Sequence, residues 1–110
     1  VTTIHEKLQA YLARRKPPMI RLPPITCVDG FRMSVQVSAH HYCTPRSDTG
    51  PWEEVEVGFP SIPEPLLFQY VENVVGGSDY TDSVYPYTPV EVVAAVIEAH
   101  GDFSDKCSPA

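Results

Sequence analysis

From residue 31 to residue 40 the chain alternates without a break. Phe31, Met33, Val35, Val37 and Ala39 are interleaved with Arg32, Ser34, Gln36, Ser38 and His40. A period of two sends successive side chains to opposite faces, so this run predicts a strand with one apolar and one polar face. Asp29-Gly30 stands just before it, a pair that favours a type I′ hairpin turn because both residues tolerate positive φ. Downstream, Val55, Val57 and Phe59 alternate with Glu54, Glu56 and Gly58. They predict a third strand over 52–59, with Val55, Val57 and Phe59 inward. Residues 25–59 thus read as a β-hairpin plus a third strand.

Two helices flank this sheet. Thr3 and Glu6 have the spacing of a capping box, and Ile4, Leu8, Tyr11 and Leu12 recur at helical spacing, which predicts a helix over 3–16. Arg14, Arg15 and Lys16 suit the negative end of its dipole, and Pro17-Pro18 stops it. Near the C-terminus Thr88 is the expected N-cap, with Pro89 at the first helical position and Glu91 closing a second capping box. Val90, Val93, Ala94 and Ile97 form the buried stripe of this 88–100 helix, and Gly101 is the expected residue after its end. Residues 60–65 are too rich in proline for an inner strand. Residues 66–72 fit a short helix or an apolar plug, and 73–82 a loop. Tyr80, Tyr85 and Tyr87 line the approach to the last helix, and 104–110 form a loose tail. The expected fold is a single α+β domain spanning 1–110. It has a small antiparallel sheet, three-stranded or slightly larger, with an N-terminal and a C-terminal helix packed on it.

Charge narrows the partners. The net charge is −6, but residues 1–46 hold seven of the eight Lys and Arg and two of the fourteen acids, a net of about +5. Residues 47–110 hold one base and twelve acids, about −11. An acidic total argues against duplex DNA, whose readers are usually strongly basic. The asymmetry leaves room for a dipolar surface or for head-to-tail packing of copies in a homo-oligomer. No apolar run reaches the length of a membrane helix and no secretory leader is visible, so a cytosolic protein with no membrane partner is expected. Three cysteines, Cys27, Cys43 and Cys107, fit neither a disulfide framework nor a zinc spacing and read as free thiols.

The chemically dense segment is 40–52. His40-His41-Tyr42-Cys43 suggests metal chemistry at first sight. Adjacent strand residues point to opposite faces, however, so His40 and His41 cannot both chelate from a regular strand. Cys43 with His41 lacks an orienting third residue and an oxyanion element. No phosphate loop, nucleotide fingerprint, zinc-protease or serine-hydrolase motif occurs. The acids suggest no carboxylate pair. No enzyme activity and no cofactor are expected. What remains is recognition: Tyr42, Arg46 and Trp52 offer an Arg fork, an indole and a hydroxyl, suited to a protein hot spot or to a planar anion such as a nucleotide. His40 and His41 belong to the same candidate binding surface, and Glu53, Glu54, Glu56, Asp79 and Asp82 would steer a basic partner surface.

The segments DGFRMSVQVS, HHYCTPR, GPW, VEVGFPS and VYPYTPVEVV together resemble a group of small proteins of tailed bacteriophages and prophages. The similarity spans about residues 27–101, and HYC-x-PR and VEVGFPS are its most distinctive parts. Asp102 stands where that group would place a second Gly. The resemblance implies a phage context and carries no catalytic residue. It leads to an expectation of a non-enzymatic accessory protein in the host cytoplasm that binds and inhibits a host protein or complex. An anti-defence inhibitor, such as an anti-CRISPR, is the form expected. A small-ligand or nucleotide-binding sponge is the alternative, followed by a virion component or a small enzyme.

Overall fold

The computed structural model describes residues 2–14, 21–72 and 80–105. The first helix, α1 (Ile4–Leu12), starts where the capping box places it. The Thr3 hydroxyl accepts the Glu6 N–H at 3.1 Å, and the Glu6 carboxylate accepts the Thr3 N–H at 3.1 Å. Those contacts hold the Glu6 carboxyl below its ordinary pKa, the Thr3 backbone N–H contributing most. Leu8, Tyr11 and Leu12 are buried along one face. The helix ends at Leu12 with Ala13 as its C-cap, short of the expected residue 16, and residues 15 and 16 lie outside the described residues.

Four antiparallel strands follow in a meander: β1 (Ile25–Thr26), β2 (Arg32–Gln36), β3 (Glu54–Gly58) and β4 (Val84–Pro89), in the order β1-β2-β3-β4. Register is set by the apolar alternation, since a slip of one residue would expose every inward side chain. Val35 lies opposite Val57, and Val57 opposite Tyr85. Met33, Val35, Val37, Val55, Val57 and Tyr85 are all fully buried. Each such side chain is worth about 1.5–3 kcal/mol relative to exposure. The second long helix, α2 (Val90–Ala99), buries Val90, Val93, Val96 and Ile97 in the same cluster. Thus both helices join the sheet in one α+β core. No described helix is long and apolar enough to cross a membrane.

Several local expectations are corrected. Asp29-Gly30 is not a type I′ turn, because only Gly30 has positive φ (94°). Gly30 N–H reaches the Cys27 carbonyl at 2.9 Å and Cys27 N–H reaches that of Phe31 at 2.8 Å. This is a three-residue loop closed by a left-handed Gly, the next commonest hairpin solution. Thr88 does not cap α2. It lies in β4 with its hydroxyl donating to the Tyr85 carbonyl, and the N-cap residue is Pro89, without a side-chain cap. Strand pairing with Val55 has claimed Thr88 before the helix can. Phe59 does not face inward. The chain turns there at φ 52°, and the ring is 47% exposed. Ala39 is also exposed, because β2 ends at Gln36.

Residues 65–70 resolve into a 3-10 turn that begins after Glu64, whose carboxylate accepts the Leu66 N–H at 3.0 Å. A second 3-10 turn covers Tyr80–Asp82. The end of α2 is a Schellman closure: Asp102 N–H reaches the Ile97 carbonyl, Gly101 N–H reaches that of Glu98, and Gly101 has φ 92°. Beyond it the chain runs back beside β1, where Val28 N–H donates to the Asp102 carbonyl and Ser104 N–H to that of Thr26. Ser104 is therefore tied down; residues 106–110 lie outside the described set.

Candidate docking surface at the 39–53 loop and the strand bulge

The 39–53 loop is fastened to itself and to the sheet. Ser38 is its anchor: its hydroxyl meets His41 Nδ1 at 2.6 Å and accepts the His40 N–H at 2.9 Å, while its carbonyl receives the Cys43 thiol at 3.2 Å. Ala39 N–H donates to the Asp48 carboxylate at 3.0 Å. Thr44 then pairs with Glu54 as an isolated bridge, and its hydroxyl donates to the Glu54 carboxylate at 2.8 Å. A loop so stitched presents its side chains from a fixed backbone.

Opposite the loop, β4 carries a bulge. Val55 faces Thr88 and Val57 faces Tyr85, so Pro86 and Tyr87 together oppose the single residue Glu56. Tyr87 is the extra residue, with φ 52°, and bulges of this kind re-aim a side chain. Its N–H donates to the Tyr42 carbonyl at 3.1 Å, while Tyr42 N–H donates to the Glu56 carboxylate at 3.0 Å. The two tyrosine rings stand 6.0 Å apart and tilted, and each residue is 42% exposed. The Arg46 guanidinium lies 5.5 Å from the Tyr42 ring centre, within cation–π range. The result is an exposed cluster of two Tyr and one Arg, braced by Glu56 from beneath.

The structure brings Tyr42, Arg46 and Glu56 together as neighbours, with Glu54 one bridge away. Trp52 supports this surface from inside. It is 4% exposed, its indole N–H donates to the Ser47 carbonyl, and its backbone is clasped on both sides by the Gln9 amide of α1, at 2.6 and 3.1 Å. Glu53 is exposed, with its backbone joining Thr44 and Val90. His40 is exposed and His41 half-buried, and Asp82 is exposed on the second 3-10 turn. Asp79 lies outside the described residues. Among the described residues no three His, Cys, Asp or Glu side chains converge as metal ligands. Cys27 and Cys43 are buried and not in a disulfide, the environment of structural rather than reactive cysteines.

A second polar cluster arises where no motif announced one. His100, the C-cap of α2, places Nδ1 2.6 Å from the Asp29 carboxylate and Nε2 2.6 Å from the Glu64 carboxylate. Its ring stacks on Phe31 at 4.1 Å and 12°. The imidazole thus ties the hairpin loop, the turn before residues 65–70 and the end of α2. Burial acts to lower its pKa, but the hydrogen bonds and charges of Asp29 and Glu64 outweigh it, and the net shift is upward from 6.5. Asp29 is shifted down, first by the Phe31 N–H and then by His100. Asp102 is likewise lowered by its 2.8 Å contact with Lys7 of α1. Because both imidazole nitrogens face acceptors, this cluster is an ion-paired brace and lacks a nitrogen free for proton transfer.

Comparison of the chain with protein-family models, with curated proteins and with solved structures finds no match.

Proposed function

We propose that this chain is a non-enzymatic phage accessory protein that docks on a host protein and inhibits it, in the manner of an anti-defence inhibitor. The observation that supports this reading is the exposed Tyr42–Tyr87–Arg46 cluster on a stitched loop and a strand bulge. Tyr and Arg are the residues that dominate protein-binding hot spots. Large rings held on a fixed backbone lose little conformational freedom on binding. The bulge at Tyr87 carries a backbone cost, and the residue stays 42% exposed beside Tyr42. Outward-facing strain of this kind is commonly retained for recognition. Glu53 and Asp82 add exposed negative charge, and an acidic chain at −6 steers toward a basic partner face.

The test is affinity capture from host lysate with the wild-type chain and with the Tyr42→Ala/Tyr87→Ala double variant, followed by mass spectrometry. The wild type should retain a defined host protein that the folded double variant loses, and the isolated partner's activity should fall when the wild type is added. Truncating a hot-spot residue costs about 2 kcal/mol or more, roughly thirtyfold in affinity. Recovery of the same proteins by both forms would overturn the proposal. Binding should also weaken steeply with salt.

A further inference from the structure

At the other end of β3 the outer face of the sheet holds a groove of about 390 Å³, lined by Arg21, Leu22, Arg32, Ser34, Phe59 and Ser61 among others. Its architecture is specific. The Gln36 side chain is buried and clamps the backbone of Leu22, accepting its N–H at 2.8 Å and donating to its carbonyl at 2.9 Å. That clamp sets the extended 21–24 segment beside β2 as one wall. The floor is low, since Ser34 pairs across the sheet with Gly58, which has no side chain. Phe59 forms the opposite wall, and Ser61 closes the groove by exchanging hydrogen bonds with Arg32. Ser61 N–H donates to the Arg32 carbonyl at 2.7 Å, and the Ser61 hydroxyl accepts the Arg32 N–H at 2.9 Å. The volume falls in the range of small-molecule sites, about 300–1,000 Å³.

Three observations point to the occupant. Arg21 and Arg32 are exposed and border the same groove, yet neither makes an ion pair with a described residue. In a chain of net charge −6 with fourteen acids, two guanidiniums on one groove without an acidic partner among the described residues are a local reversal of sign. An anion between them relieves their repulsion and meets planar donor forks suited to phosphate. The hydroxyls of Ser34 and Ser61 each accept one N–H, from Gln36 and Arg32, which leaves their own protons to donate. Phe59 supplies an exposed aromatic wall at φ 52°, a conformation that bulky residues rarely adopt.

We propose that this groove binds a small anion with a planar base, of the nucleoside monophosphate class. The phosphate sits between Arg21 and Arg32 within reach of the Ser61 hydroxyl, and the base stacks on Phe59. This site is independent of the Tyr42–Tyr87 surface, which lies at the Val55 end of β3, whereas the groove lies beyond Gly58.

Isothermal titration of the full chain at low salt with AMP, GMP, CMP and UMP, and separately with adenosine and inorganic phosphate, tests it. At least one mononucleotide should bind in the micromolar range, with the nucleoside and phosphate each at least tenfold weaker. Arg21→Ala and Arg32→Ala should each weaken that ligand about tenfold, the worth of one charge-assisted contact. Phe59→Asn should do the same while keeping the melting temperature, because Asn tolerates the left-handed conformation. Absence of binding by all four mononucleotides at millimolar concentration would overturn the proposal. Affinity unchanged in both Arg32→Ala and Phe59→Asn, or equal competition by polyglutamate, would do so as well.

Discussion

Replacing His100 by Gln tests the brace between Asp29 and Glu64. When doubly protonated, His100 donates from both nitrogens, each at 2.6 Å. A Gln side chain carries one amide nitrogen and cannot span both carboxylates. Asp29 is half exposed and screened, so most of the loss falls on Glu64, which is 7% exposed. Breaking a buried pair by removing one partner costs about 3–5 kcal/mol. Glu64 keeps its Leu66 N–H contact, which places the expected loss near the lower end, about 3 kcal/mol. Loss of the Phe31 stack adds about 0.5–1 kcal/mol. Against a typical total of about 5–15 kcal/mol, the variant is strongly weakened.

The cost depends on pH with a definite sign. The folded pKa of His100 lies above 6.5, so between these values the native state holds more protons than the unfolded chain. Its contribution is complete below about pH 6.5 and is lost as pH rises through the folded pKa. Physically, a neutral imidazole has one N–H for two carboxylates, so one short contact becomes lone pair against lone pair. Asp29 acts in the opposite direction: its contribution is present above its ordinary value of 3.8 and fades as pH falls through its lowered pKa. Urea denaturation followed by the fluorescence of Trp52, the single tryptophan, at about pH 5.5, 7 and 8.5 measures both proteins. Wild-type stability should fall across this series while that of His100→Gln stays nearly level, so the gap narrows. A level wild-type profile, or one with the same slope in the variant, would refute the reasoning.

Two further predictions concern the supports of the two surfaces. Gly50→Ala should destabilise the chain by about 1–3 kcal/mol in the same denaturation assay, because a Cβ there would sit 2.5 Å from the buried Trp52 ring. Gln36→Ala should cost about 2 kcal/mol by removing both hydrogen bonds that hold Leu22, and should make the chain more readily cut near Leu22 in limited proteolysis.

Wherever burial and periodicity coincide, the fold was legible from the residues. Val35 and Val57 alternate with polar neighbours and sit opposite each other in the sheet, and Thr3 and Glu6 cap α1 at the spacing that suggested it. The fourth strand was not legible. Val84–Pro89 contains two prolines, and Thr88-Pro89 has the local chemistry of a helix start; pairing with β3 overrides that preference. The candidate surface was half legible. Tyr42 and Arg46 were singled out by residue type, but Tyr87 was not placed with them, because a bulge depends on the register of two strands. The His100 brace has no local signal, since Asp29 lies 71 residues and Glu64 36 residues away in the chain. The same holds for Gln9 and Trp52, 43 residues apart, whose contact turned an apparent surface indole into an internal support.

The prolines of β4 have a consequence for how copies of this chain can meet. A sheet recruits another chain by offering a row of free N–H and C=O groups along its margin. Here one margin, β1, is two residues long and already flanked by the 102–104 return through Val28 and Thr26. The other has no N–H at Pro86 or Pro89, is bent by the bulge, and has its Val84 carbonyl taken by Glu72. Among the described residues, neither margin offers a long uninterrupted row of such groups. Edge-to-edge pairing of copies through these strands is thereby disfavoured, and concentrated protein should resist the fibrous polymerisation to which open β-structure is prone.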